Sequence, residues 1–303
     1  MIYTVTLNPA LDYVVKLETL KTGEINLCSG ATVYCGGKGN NVSWVLKELG
    51  FDSVALGFSA GFAGAAIEEI LRQKGIDSDY VRLKNGLNRI NIKIRAGQET
   101  DINVTGPKVE KEEIEQLSGK LNRLKNGDTL VLAGSVPPSL PDDIYEKILQ
   151  TLAGRKIRTV VDAAGQSLLK TLKYKPYLIK PNHHELGELF GVTIADKEQA
   201  QNYALKLQQM GARNVMVSFA EQGAVFAAES GEVYHTKAAK GKLINSVGAG
   251  DSTVAGFLAA IEWKWNPQKA FEFGVCAGCA TAFCEGLASR EEILKIAEDK
   301  DFV

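Results

Sequence analysis

The sequence predicts an α/β fold: a mostly parallel central sheet flanked by helices, with a small β-sheet inserted over it as a lid. Three observations carry this. Short β-branched runs alternate with stretches of helical periodicity along the chain. The runs are continuously apolar, so both faces of each strand are covered, which favours a parallel sheet between helix layers. Four segments break this rule: residues 11–17, 24–33, 88–95 and 99–104 alternate polar and apolar side chains, as half-exposed antiparallel strands do. They are scattered in sequence yet alike in pattern, so they are expected to form one sheet at the edge of the main one. There it would act as a lid.

The elements follow in order. Residues 1–7, Met-Ile-Tyr-Thr-Val-Thr-Leu, lack a basic lead and a cleavable apolar core, and read as a first strand instead of a signal peptide. Residues 54–58 form a second buried strand, and 63–74 a helix with Ile67, Ile70 and Leu71 on one face. A strand at 128–133 precedes a helix at 140–152. Strands at 158–162, 177–180 and 214–218 continue the alternation, and residues 250–299 read as nearly all helix. The whole of 1–303 is expected to be one domain with no repeat, linker or low-complexity tract.

Composition narrows the function. The 303 residues carry a net charge of −1, which gives no bulk attraction to nucleic acid or to an anionic membrane. Five cysteines without framework spacing suit a reducing compartment. No apolar run is long enough to span a bilayer. A soluble, cytoplasmic protein is expected.

The most informative stretch is 245–257, Asn-Ser-Val-Gly-Ala-Gly-Asp-Ser-Thr-Val-Ala-Gly-Phe. Gly248, Ala249 and Gly250 have little bulk, so their amides can converge on one spot, and the helix behind them adds the positive end of its dipole. This makes an anion cradle. Asp251 at its edge suits a base that takes a proton from an acceptor hydroxyl, and the two together describe phosphoryl transfer. A glycine-rich turn with Asp251 as a plain helix cap fits this segment alone equally well.

The second motif is Gly-Gly-Lys-Gly-Asn-Asn at 36–41, followed by a helix with Val42, Val45, Leu46 and Leu49 facing inward. Its glycines permit close backbone approach to a ligand, and Lys38, Asn40 and Asn41 supply donors. It is not a Walker loop, because Gly39 follows Lys38 where Ser or Thr is required. Nor does the chain contain a Gly-x-Gly-x-x-Gly dinucleotide fingerprint.

In kind, order and spacing, these two motifs resemble the signatures of the ribokinase-like (PfkB) family of sugar kinases, and the resemblance spans essentially the whole chain. The segments Thr-Leu-Asn-Pro-Ala-Leu-Asp at 6–12 and Ala-Gly-Ser-Val-Pro-Pro at 133–138 further resemble the branch that acts on phosphosugars. That branch includes 1-phosphofructokinases and tagatose-6-phosphate kinases.

The resemblance implies ATP and Mg²⁺, with Asp251 as catalytic base beside Gly248, Ala249 and Gly250. It implies a sugar site of Asp12, Gly36, Gly37, Lys38, Asn41 and Ser135. Arg89, Asn91 and Lys93 share one face of a lid strand and suit a substrate that already carries phosphate, with Asn103 on the neighbouring strand. Basic residues that guard an exposed strand edge would look the same. Lys180, Asn182, Ser218 and Gly223 are implied near the nucleotide phosphates or ribose, and Glu185 near the metal, through water. Asn182 and Glu185 also read as a capping box. His183 and His184 are expected as solvent-facing turn residues. Cys276, Cys279 and Cys284 read as structural cysteines, while the resemblance puts Cys276 and Ala280 beside the adenine.

The expected reaction is phosphorylation of fructose 1-phosphate. Tagatose 6-phosphate, an unphosphorylated sugar or nucleoside, and a catalytically silent sugar-binding regulator are the alternatives. Apolar residues on the lid, such as Val15, Ile92 and Ile94, have too little sequence around them to bury them. A homodimer through paired lids is therefore expected.

Overall fold

The computed structural model describes residues 1–299. In chain order, β1 (Ile2–Thr6) lies in the body, and β2 (Ala10–Lys16) and β3 (Gly30–Gly36) leave it for the lid. The chain returns as α1 (Lys38–Glu48), β4 (Ser53–Ser59), α2 (Gly61–Gln73) and the short strands β5 (Asp77–Ser78) and β6 (Val81–Arg82). It then visits the lid again as β7 (Arg89–Arg95) and β8 (Thr100–Ile102). After α3 (Lys111–Leu121) come β9 (Thr129–Ala133), α4 (Ile144–Thr151), β10 (Arg158–Asp162), α5 (Gly165–Leu169), β11 (Leu178–Ile179), α6 (His183–Phe190) and α7 (Lys197–Gln209). The strands β12 (Asn214–Ser218), β13 (Ala224–Ala227) and β14 (Val233–Thr236) follow. Three helices, α8 (Ala249–Glu262), α9 (Pro267–Ala282) and α10 (Arg290–Glu298), end the described chain.

The body sheet runs β14-β13-β12-β11-β10-β9-β1-β4-β5, with β6 also on β4. From β12 to β5 the pairs are parallel, and β13 and β14 add an antiparallel edge. Such strands need apolar cover on both faces. One apolar layer is built with Leu117, Ile144, Leu168, Leu186 and Ala204 of α3 to α7. The other is built with Val42 and Val45 of α1, Phe257 of α8, Phe273 of α9 and Ile293 of α10. Because the strands are parallel, their C-terminal ends emerge together. Thr6, Asp162 and Ser218 therefore end on one edge of the sheet, with Gly134 and Lys180 one residue beyond β9 and β11.

The lid is a second sheet in the order β3-β2-β7-β8. Two expectations are corrected by it. The segment expected as a strand over 24–33 begins its strand only at Gly30 and continues to Gly36. The Asn26 side chain bonds the backbone of Lys21 and Glu24, a local turn that competes with ladder formation. The lid is also not wholly antiparallel: β2 and β7 pair in parallel, because both enter from the same edge of the body.

One row crosses all four lid strands. Val33 pairs with Tyr13, Tyr13 with Ile92 and Ile92 with Ile102, and all four side chains are exposed. Ile25 and Leu27, in the loop between β2 and β3, are 91% and 89% exposed. Val15 and Ile94, expected to need a partner, are instead buried within the chain. The base of the lid, Leu11 and Cys35, packs on Ala63, Ile67 and Leu71 of α2.

Candidate active site

Where the strand ends emerge, a cavity of about 520 Å³ opens under the lid. Two helices point their N-termini into it without a side-chain cap of their own. The first is α1. Its N-cap is Gly37, at φ 116°, where a Cβ would lie 2.6 Å from the Thr6 methyl group. Thr6 at the end of β1 accepts from the Asn40 amide at 3.1 Å, so the third amide of the helix is satisfied from another element. Asn40, expected as a ligand donor, is turned inward to Gly36 O and Tyr80. The second is α8, whose N-cap Gly248 sits at φ 82°; a Cβ there would lie 2.5 Å from Leu287. The first amides of both helices have no partner within their own helix, which leaves positive ends at the cavity.

Charged side chains converge between these two ends. Asp251, in the first turn of α8, is 5% exposed and accepts from Asn41 Nδ2 at 2.7 Å. Asp162, at the end of β10, is 1% exposed. It accepts from Lys38 Nζ at 3.0 Å and lies 3.4 Å from Lys180 Nζ. Lys180 also sits against α8, 3.0 Å from where a Cβ on Gly250 would be.

The electrostatics follow from this packing. Burial pushes the Asp251 carboxyl up to about 6, and the negative charge of Asp162 adds to it; Lys38, Asn41 and Lys180 pull the other way. Burial also acts to raise Asp162, but Lys180 and Lys38 outweigh it and hold that carboxyl below its ordinary range. Burial acts to lower Lys38, and the carboxylates Asp162, Asp251 and Glu185 overcome it, so its ammonium is kept charged. Two carboxylates thus have different environments: one firmly ionised between two lysines, the other poised to take up a proton.

The residues expected on the sugar side lie across the cavity. Asp12 lines it, and a Cβ on Gly36 would stand 2.5 Å from its carboxylate, so that glycine lets Asp12 lie over the strand beside it. Asn91 does not reach the cavity: it donates to Asp12 Oδ1 at 2.8 Å. Arg89 lines the cavity and donates Nε to the Asn8 carbonyl at 3.2 Å. The strip expected from Arg89, Asn91 and Lys93 is therefore split. Lys93 is held by Asp101 and Asn103 at 2.8 and 3.1 Å and faces a second cavity of about 420 Å³, which meets the first at Asp12 and Asn41. Asn103 is exposed and serves Lys93.

Gly37, Lys38, Asn41, Ser135, Lys180, Asn182, Glu185, Ser218, Gly248, Gly250 and Asp251 all line the first cavity, as do Thr6, Asn8, Gly134, Ser246 and Val247. Asn182 and Glu185 form a reciprocal capping box at the start of α6, with both bonds at 2.8 Å. His183 is half-buried and stacks on Phe219 with centroids 4.7 Å apart, a correction to its expected solvent-facing position. Gly223 is buried at φ 96° in the turn before β13, outside the cavity. Ala249 starts α8. Cys276 and Ala280 do not reach the cavity; both are buried in the apolar layer beneath α8 and α9, because their face of α9 is the one packed inward.

Sequence reasoning passed over Asp162, Thr6 and Asn8. An acid ending the Thr-Val-Val run at 159–161 was a visible signal for Asp162, since strand ends carry ligand-facing residues in parallel sheets. Thr6 and Asn8 lay inside a motif from which only Asp12 was singled out.

Comparison with known proteins agrees in outline. Residues 5–293 match the family model "pfkB family carbohydrate kinase". A 1-phosphofructokinase of Bacillus subtilis (strain 168) is 46% identical over 296 residues, 98% of this chain and 97% of that protein. A D-tagatose-1-phosphate kinase of Bacillus licheniformis is 35% identical over 288 residues, 95% and 94% of the two chains. The crystal structure of phosphofructokinase-2 from Escherichia coli in complex with fructose-6-phosphate superposes with a TM-score of 0.91 at 25% identity, covering 98% of each chain. With the family model matched over almost its full length, the chain belongs to the pfkB family of carbohydrate kinases.

Proposed function

We propose that the protein is an ATP-dependent kinase that phosphorylates fructose 1-phosphate to fructose 1,6-bisphosphate. The observation that carries the transfer chemistry is Asp251 in the first turn of the uncapped helix α8, with a carboxyl raised to about 6. At neutral pH such a group is ionised yet basic enough to accept a proton. The fructose 1-phosphate assignment is supported by the similarity to 1-phosphofructokinase over nearly the whole of both chains.

Asp251 receives the proton of the attacking hydroxyl as that oxygen bonds to the γ-phosphorus and the bond to the ADP oxygen breaks. The Gly250 amide and the dipole of α8 face the charge that spreads over the transferring oxygens, and the Ala249 amide, held by only a long 3.4 Å bond to Ser246 O, can turn to it. Lys38 and Lys180, held by Asp162, balance phosphate charge. Asp12 accepts from sugar hydroxyls, and Asn91 keeps its carboxylate in place. Arg89 meets the phosphate that the sugar already carries.

Glu185 and Asn182 are the residues that would hold Mg²⁺. The donors are all oxygen, and the helix cap already engages Asn182 Oδ1 and one Glu185 oxygen, which leaves the second Glu185 oxygen free. That suits a cation that keeps most of its water and is shared with nucleotide phosphates. When bound, it would supply charge neutralisation there.

The lid row Val33, Tyr13, Ile92 and Ile102, with Ile25 and Leu27 nearby, supports a homodimer formed lid to lid. Light scattering at working concentration is the check, and a fully active monomer would refute it. Five cysteines, an odd number without framework spacing, support a reducing, cytoplasmic setting.

The deciding experiment is an ADP-release screen. Fructose 1-phosphate is expected to give the highest kcat/KM among fructose 1-phosphate, fructose 6-phosphate, tagatose 1-phosphate, tagatose 6-phosphate, free fructose and a nucleoside. A free sugar or nucleoside as the best acceptor would overturn the phosphosugar assignment. Tagatose 1-phosphate is the second reading, favoured by the similarity to the Bacillus licheniformis kinase.

A further inference from the structure

The chain crosses between body and lid four times, and three of the crossings come together around Asn8 and Pro9. It passes from β1 to β2 through Asn8 and Pro9, from β3 to α1 through Gly37, from β6 to β7 through Asn88, and from β8 to α3 through Thr105 and Gly106. Asn8 touches one of the other crossings and the first residue of β7 directly. Its backbone carbonyl accepts from Arg89 Nε at 3.2 Å, and its Nδ2 donates to the Thr105 carbonyl at 3.1 Å, 97 residues away. Gly106, at φ 93°, lies so close that a Cβ there would be 2.3 Å from Asn8 Oδ1. A Cβ on Gly37 would lie 3.4 Å from Pro9 Cα, so the one-residue β3–α1 crossing packs beside the same spot.

The side chain is 6% exposed, and its Oδ1 has no hydrogen-bond partner among the described residues. Burying a polar group with one end unpaired is unfavourable by itself. Asn8 therefore does something an apolar residue of similar size would not. What it does on the page is bind the β8–α3 crossing to the β1–β2 crossing, while its own backbone fixes Arg89.

We propose that Asn8 is a positioning residue, the pin that makes the lid's separate crossings move as one and so sets where Arg89 and Asp12 meet the phosphosugar. The inference rests on the kinase reading above. Arg89 begins β7, and Asn91 two residues on holds Asp12, so the placement of β7 beside β2 governs both groups. Without the bond to Thr105, the β8–α3 crossing loses its side-chain tie to the β1–β2 crossing, and the lid can close imperfectly over the cavity. Water then competes with the sugar hydroxyl for the phosphoryl group.

The test compares wild type with Asn8→Ala, which removes the side-chain bond and leaves the carbonyl that Arg89 uses. The phosphosugar KM is expected to rise at least about fivefold while the ATP KM stays within about twofold. ADP release in excess of sugar bisphosphate formed is expected to increase, a readout that mere loss of stability would not move. Gly106→Ala is expected to give the same pattern, and the double variant to be no worse than Gly106→Ala alone, since its clash is with Oδ1. Should the alanine variant not fold, Asn8→Asp keeps the shape, loses the donor to Thr105, and is expected to show the same loss of coupling. Hydrogen exchange over residues 89–106 of the ligand-free protein is expected to be faster in the Asn8 variant. This last measurement judges Asn8 even if the wild type phosphorylates no phosphosugar, in which case the proposed function fails separately. Unchanged KM, coupling and exchange in a folded Asn8 variant would overturn the proposal, as would additive losses in the double variant.

Discussion

Two helices begin at the cavity in opposite ways. At α6, Asn182 accepts from the Glu185 amide and Glu185 accepts from the Asn182 amide, so the end is closed by its own side chains. At α8, Gly248 in the left-handed region offers no side chain at all, and the end stays open. The closed end contributes stability; the open end keeps its amides and dipole for a ligand. Helices α7, α9 and α10 are closed like α6, by Asp196, Asn266 and Ser289. Lack of a cap is not a marker alone, since α2 and α4 also lack one. What sets α8 apart, with α1 facing it, is an open end where two lysines and two carboxylates converge.

Substitutions at the two ends should therefore differ in kind, and the largest effect is expected at the open one. Asp251→Asn keeps the shape and removes the proton acceptor, so turnover should fall at least about a hundredfold with little change in phosphosugar affinity. The same variant should be more stable than wild type at pH 8. Burial makes Asp251 hold its proton more tightly in the folded than in the unfolded chain. Its contribution to stability is therefore full below the ordinary carboxylate range and is lost as pH rises through about 6. Asparagine removes that loss, and thermal melts at pH 5 and pH 8 would reveal it. Near-normal turnover, or a fall in stability at pH 8, would break the distinction between the two ends.

Arg89→Ala comes next. It should raise the phosphosugar KM about ten- to a hundredfold, the loss of a charge-assisted contact of roughly 1.5–3 kcal/mol, and leave the ATP KM alone. Gly248→Ala should lower turnover about tenfold. The left-handed backbone disfavours alanine by roughly 1–2 kcal/mol, and the new Cβ would press on Leu287, tilting the open end. The smallest effect is expected at the closed end. Asn182→Ala should cost about 1 kcal/mol of stability by chemical denaturation and change turnover by less than about tenfold. A larger catalytic loss that excess Mg²⁺ restores would mean that the metal role proposed for Asn182 outweighs its role as a cap.

Much of this was legible in the sequence because it is local. Continuous apolar strands, the glycine-rich starts of α1 and α8, and the capping pair at 182 and 185 are each written within a few residues. The rest depends on what the fold brings together. Asp162 and Lys38 are 124 residues apart, and only the parallel sheet places both at one edge. Lys93 shares a strand face with Arg89, yet Asp101 and Asn103 on β8 claim it, and alternation alone does not reveal that. Cys276 lies on a small-residue helix whose buried side is chosen by packing against α8, so its distance from the cavity could not be read from periodicity. The late start of β3 was hidden because Asn26, an ordinary polar residue by pattern, folds back on its own backbone.

The central claim is that the open end of α8 holds a carboxylate destabilised as an ion and ready to take a proton. It is tested most directly by ¹³C NMR titration of the aspartate side chains in the ligand-free protein, with Asp251→Asn to assign the signal. One aspartate is expected to titrate near pH 6 and to be missing from the variant. If the signal lost in the variant titrates near 4, where an unperturbed aspartate does, the account is contradicted.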